Sequence, residues 1–160
     1  MAVVVFGDHG EAFWDKGGPF GHSTQLSDAQ TRVPALFCFP DVVTSNYGIS
    51  SHADIFPTIF DSMGLRADVA FMTGKTLLRF DPELDWAVAR GPVTGKDASF
   101  RFLMVDGRHR TEIFQREPPI VNWVQDSEER DLAPPPRNAV TRAFAIFLQS
   151  ALLRSPEIRR

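Results

Sequence analysis

The stretch that decides the reading of this chain is Ala2 to Glu11, A-V-V-V-F-G-D-H-G-E. Its unbroken apolar run, rich in β-branched valine, predicts a strand buried on both faces, because a half-exposed strand would alternate apolar and polar positions. Gly7 and Gly10 bracket Asp8 and His9 and predict a sharp turn where the strand stops. In a continuing strand Asp8 and His9 would point to opposite faces, whereas a glycine-flanked turn lets a carboxylate oxygen and an imidazole nitrogen converge. That donor pair suits Zn, Mn or a similar divalent ion, and open α/β sheets keep their sites beyond the carboxyl ends of buried strands. The same residues also admit a plainer role, with Asp8 capping a turn and His9 bonded to backbone.

Further along stand Gly21-His22, then Val33-Pro34 opening an apolar run, then His52-Ala53-Asp54-Ile55-Phe56-Pro57-Thr58. In this order, after G-D-H-G-E, the set resembles the second half of the alkaline phosphatase and sulfatase superfamily. The run G-H-S-T-Q-L-S-D-A-Q-T-R-V-P is most similar to the sulfatase-like membrane enzymes and their phosphoethanolamine and phosphoglycerol transferase cousins. The resemblance is specific from Val3 to about Leu65 and only architectural beyond. It implies an α/β fold, the C-terminal part of an alkaline-phosphatase-like three-layer sandwich, with residues 1–80 in the core and 81–160 forming a small antiparallel subdomain with a C-terminal helix. It also implies a divalent metal (Zn, Mn, Ca or Mg) with Asp8 and His9 as ligands, His22 as a catalytic contact to the transferred group, and a sulfate or phosphate ester as substrate. The nucleophile and further ligands of such enzymes lie in an N-terminal half, which becomes the expected partner. Any membrane anchorage would likewise come from segments ahead of this sequence. A chain alone is then expected to be inactive, and a noncatalytic metal-binding or interaction module with the same fold is the alternative.

Composition sets outer limits. With 160 residues, 43% of them hydrophobic, the chain can build one real core. Seventeen basic against 20 acidic residues, a formal charge of −3, argue against a nucleic-acid partner. The single cysteine forms no internal disulfide and leaves the compartment open. No apolar run approaches the roughly 20 residues of a membrane helix, and no basic leader precedes the first strand, so the expectation is a chain without an address of its own.

Between these landmarks, Gly17-Gly18-Pro19 breaks any helix and predicts a loop over Asp15 to Thr24 that carries His22. Val33 to Phe39 predicts a second strand, with Cys38 as a core thiol. The run from Cys38 to Val42 resembles the C-x-P-x-R signature of formylglycine sulfatases but places Val42 where arginine belongs. Asp54 is expected to cap a helix ending at Gly64, with Pro57 in the first turn and Ile55, Phe56, Ile59, Phe60 and Met63 facing the core. A His52/Asp54 metal pair is disfavoured because the cap occupies the carboxylate. Leu65 to Thr76 predicts a surface loop, and Thr73 to Thr76 lacks the earlier glycine of a phosphate loop, Val69 standing there.

Four short strands follow, at 86–90, 99–105, 109–115 and 120–124, with Asp106-Gly107 as the hairpin turn. Arg101, His109, Arg110 and Glu112 are expected on the solvent face. Asp126 to Pro136 predicts an extended linker. Asn138 is expected to cap a helix to about Leu153 whose apolar face is Val140, Phe144, Phe147, Leu148, Ala151 and Leu152.

Overall fold

The computed structural model describes residues 2–14, 20–40, 48–65, 74–94, 99–115 and 118–154. The Gly17-Gly18-Pro19 break, most of the loop from Leu65 to Thr76, and the side chains of Ala151 and Leu152 lie outside the described residues.

The valine run forms strand β1, Val3–Phe6, which pairs antiparallel with β2, Ala35–Cys38, through Val3↔Cys38 to Phe6↔Ala35. This corrects the expected doubly buried strand: Val5 is 58% exposed and Phe6 46%, and among the described residues the sheet has two strands. An apolar run signals what a strand can bury, but burial needs neighbouring layers. Cys38 is exposed for the same reason, not packed in a core.

Between the strands, Ser27 precedes a short helix α1, Asp28–Thr31, unforeseen because one helical turn leaves no periodicity. Ser51 opens a 3-10 turn, His52–Asp54, that leads into helix α2, Ile55–Ser62. The Asp54 carboxylate is occupied, as expected, but by amides outside α2: Ser51 N–H donates to Oδ2 and Lys75 N–H to Oδ1, both at 2.8 Å. Burial raises its pKa above the usual carboxylate value, and the two amide bonds oppose that rise. Gly64 ends the helix with φ of +66°. The predicted core stripe is only half right, since Phe56 and Met63 are exposed while Thr58 is buried, its Oγ1 donating to Asp54 O and accepting from Leu77 N–H.

The main core belongs to a four-stranded antiparallel meander of β3 (Trp86–Thr94), β4 (Ser99–Asp106), β5 (His109–Phe114) and β6 (Ile120–Asp126). Asp106 Oδ1 accepts the amides of Arg108 and His109, which closes the predicted hairpin. Directly paired residues share a face. The pairs Phe102↔Ile113 and Met104↔Thr111 therefore face one way, where helix α3, Arg137–Arg154, covers them with Ala143, Ile146 and Phe147. Val140 and Phe144 are half-buried and Leu148 is exposed, so the docked stripe is rotated from the one predicted.

The opposite face is also covered, and the expectation of a solvent face fails there. Arg110 and Glu112 are buried, and Arg101 is nearly so. Arg101 and Asn122 both donate to Glu112, while Arg110 pairs with Asp28 and Glu129 and donates to Leu26 O at 2.8 Å. Leu26 lies over Gly91, where an added Cβ would meet the Leu26 side chain at 3.0 Å. Strand alternation places these charges on one face; the overlying segment 24–29 decides that they are largely buried.

Ile113 is fully buried in the helix-covered face. Ile113→Ala is expected to cost about 2–5 kcal/mol. Urea unfolding would read this as a lower midpoint at unchanged slope, and a midpoint equal to wild type would refute the assignment of the core.

Candidate functional site

Beyond Phe6 the chain bends at Asp8, between the two glycines, and is held by three backbone contacts. Gly7 N–H donates to Pro34 O at 3.1 Å, Gly10 N–H to Gln30 O at 3.0 Å, and Ala12 forms an antiparallel bridge with Gly21, with reciprocal bonds of 3.0 and 2.9 Å. Gly10 is obligatory by space, because an added Cβ would lie 2.0 Å from Ala29 O.

The bridge explains the site. When Ala12 opposes Gly21, Glu11 opposes His22 on the other face, and in extended chain His9 shares the face of Glu11. Their side chains do meet: His22 Nδ1 lies 2.9 Å from Glu11 Oε2, and the His9 and His22 rings stack with centroids 4.1 Å apart. His9, Glu11 and His22 offer ligand atoms that all fall within 4.8 Å of one another.

Chemistry assigns the tautomers. A carboxylate only accepts, so His22 Nδ1–H donates to Glu11, leaving Nε2 available. His9 Nδ1–H donates to Gly10 O at 3.1 Å, which leaves its Nε2 lone pair free, the arrangement in which metal-binding histidines are commonly held. That free nitrogen lies 3.7 Å from Asp8 Oδ2, close to the separation of two ligands on one ion bonded at about 2.0–2.1 Å. Asp8 is well exposed, and its own amide and then that of His9 hold its pKa below the usual carboxylate value. The carboxylate and imidazole donors present thus fit a divalent ion.

His52 stands apart from Asp54 in function. Its Nε2–H donates to Gly7 O at 2.8 Å and its ring lies 5.5 Å from Phe6, so it fastens the end of β1 to the 3-10 turn. Two residues escaped sequence reasoning. Glu11 was legible in principle, two positions after His9, but its partner across the bridge was not. Gln30 gave no signal at all. Its buried amide accepts from Thr24 N–H and Gln25 N–H at 3.0 Å and donates to Gly21 O and Thr24 Oγ1, which shapes the loop presenting His22.

Residues 1–65 match the family model described as Sulfatase. Over that segment the sequence is similar to the sulfatases. A solved structure described as "a putative sulfatase from Bacteroides thetaiotaomicron VPI-5482", at 2.40 Å resolution, superposes with a TM-score of 0.65 at 16% identity. That match covers 99% of this chain and 40% of the solved one, so the chain spans well under half the length of that structure, and at this identity the likeness concerns the fold. No curated protein sequence matches it. The matched segment holds Asp8, His9, Glu11, His22 and His52 together.

Gln30→Ala removes four hydrogen bonds beneath the His22 loop. The expected result is a loss of about 1–3 kcal/mol in stability, together with loss of the His9–His22 ring contact in NMR spectra. Unchanged imidazole resonances would show that Gln30 does not shape the site.

Proposed function

We propose that this chain is the metal- and ester-contacting part of a sulfatase-type hydrolase or transferase acting on a sulfate or phosphate ester. The observation that carries the reading is the convergence of His9, Glu11 and His22 at the end of β1, with Asp8 beside them, inside the segment that matches the family.

Asp8 Oδ2 and His9 Nε2 would hold the divalent ion, which when bound polarises an ester oxygen and offsets its negative charge. Glu11 fixes the His22 tautomer and ring plane, so that Nε2 faces the transferred group. Protonated there, His22 donates to an oxygen on which charge develops or to the departing alcohol, and Glu11 stabilises the imidazolium. The covalent step is assigned to a nucleophile elsewhere in a longer enzyme. Thr24 Oγ1 and Thr58 Oγ1 are both engaged in loop and helix bonds, and the exposed apolar side chains of Val5, Phe6 and Leu36 suit a layer contributed by that remainder.

Calorimetry with Zn(II) and Mn(II) should record weak binding by this chain, abolished when Asp8 and His9 are both changed to alanine. Binding retained by the double variant would remove the metal assignment. In the complete enzyme, His22→Ala should lower kcat/KM roughly 10²-fold or more with metal content intact. The isolated chain should turn over neither nitrophenyl sulfate nor nitrophenyl phosphate; metal-dependent turnover lost on changing Asp8 would overturn the division of labour.

A further inference from the structure

The other face of the Ala12–Gly21 bridge borders a second feature. Ala12 lines an open cleft of about 680 Å³ between segment 25–29 and the meander, whose wall is the Arg101–Glu112–Asn122 cluster with Trp123 beside it. Trp123 pairs with Glu112 across β5 and β6 and so shares its face. None of these groups contributes to the metal- and ester-contacting site.

We propose that this cleft binds an uncharged, hydroxyl-rich ligand of the size of one or two sugar rings, independently of the ester chemistry. The argument is one of complementarity. Asp28, Glu112, Glu128 and Glu129 all line the cleft, against Arg101 as the one cation among the described lining residues, so an anionic group is repelled. The field is nonetheless tempered, because Arg101 pairs with Glu112 at 3.3 Å, Arg110 with Asp28 and Glu129, and Arg130 with Glu128 at 3.2 Å. A cation would compete with the guanidinium groups already paired to these carboxylates, and it could offer nothing to Arg101 Nε, a buried donor with no acceptor among the described residues.

A hydroxyl group both donates and accepts. It matches a lining in which carboxylate acceptors stand beside the side-chain amides of Gln25, Asn122 and Gln125, each with a donor and an acceptor end. Asn122 spends its Nδ2 on Glu112 and Gln125 its Nε2 on Asp131. Trp123 adds an apolar plane on which the C–H face of a ring can rest, which is how small-ligand sites combine a hydrophobic surface with a few placed polar groups. A buried ion pair is a poor source of stability in itself. Arg101 also donates to Thr24 O at 3.2 Å, which ties the overlying loop to the sheet and keeps the cleft shaped without a ligand.

The test is protein-observed NMR titration of the whole chain with glucose, galactose and N-acetylglucosamine, with choline and sulfate as charged comparisons. The expected result is saturable binding of at least one sugar, with shifts at the Trp123 indole and the Asn122 and Gln125 amides. Trp123→Ala and Asn122→Ala should weaken it tenfold or more. Gln125→Ala, at a surface position, serves if Trp123→Ala fails to fold. The Asp8→Ala, His9→Ala double variant should bind sugar as wild type does, which separates this result from the fate of the metal site. No binding of any of the three sugars, tighter binding of choline or sulfate, or binding indifferent to the cleft substitutions would overturn the proposal.

Discussion

The buried side-chain amide of Gln30 is the constraint on which the arrangement of the site depends. It sits on one-turn helix α1, whose backbone carbonyl accepts Gly10 N–H, while its side chain gathers Thr24, Gln25 and Gly21. One residue thus fixes both the segment carrying His9 and Glu11 and the loop carrying His22. An amide suits the position because it alone offers two acceptor lone pairs and two donors on one rigid plane. The bridge of Ala12 and Gly21 then has a defined register, and register alone decides that Glu11 meets His22.

From the same segment the structure builds two chemically different faces. His9, Glu11 and His22 lie on one, partly exposed, with their ligand atoms within 4.8 Å of one another. On the other, Leu26 and Ala12 are buried as segment 24–29 closes over the meander and its paired charges. The Arg110 guanidinium, linked to Asp28 and Glu129, joins this segment to β5 and to the turn after β6. The cleft at the sheet face and the residues at the strand end are thereby mounted on one short stretch of chain.

Much of the fold was legible before any coordinate. The four meander strands, the Asp106-Gly107 turn, the left-handed Gly64 and the long C-terminal helix all follow from local pattern, because turn chemistry and periodicity act over a few residues. The failures share one cause. The sequence predicts Val5 and Cys38 buried, and Arg101, Arg110 and Glu112 exposed, because hydrophobicity reports a side chain's preference while accessibility depends on which layer lies above it. The rotated stripe of α3 has the same origin, since several helix faces carry apolar residues and packing selects among them.

For the site, the sequence by itself determined the donor types, the Gly-flanked turn that presents Asp8 and His9, and the superfamily resemblance, all of which are properties of contiguous residues. Only the tertiary structure decided that Glu11 is the partner of His22, that His52 serves as a fastener to Gly7, and that Arg101, Glu112 and Asn122 form the wall of a cleft. Those assignments join residues far apart in the chain, and pairing across such distances is set by strand register and layer packing, which no local spacing encodes.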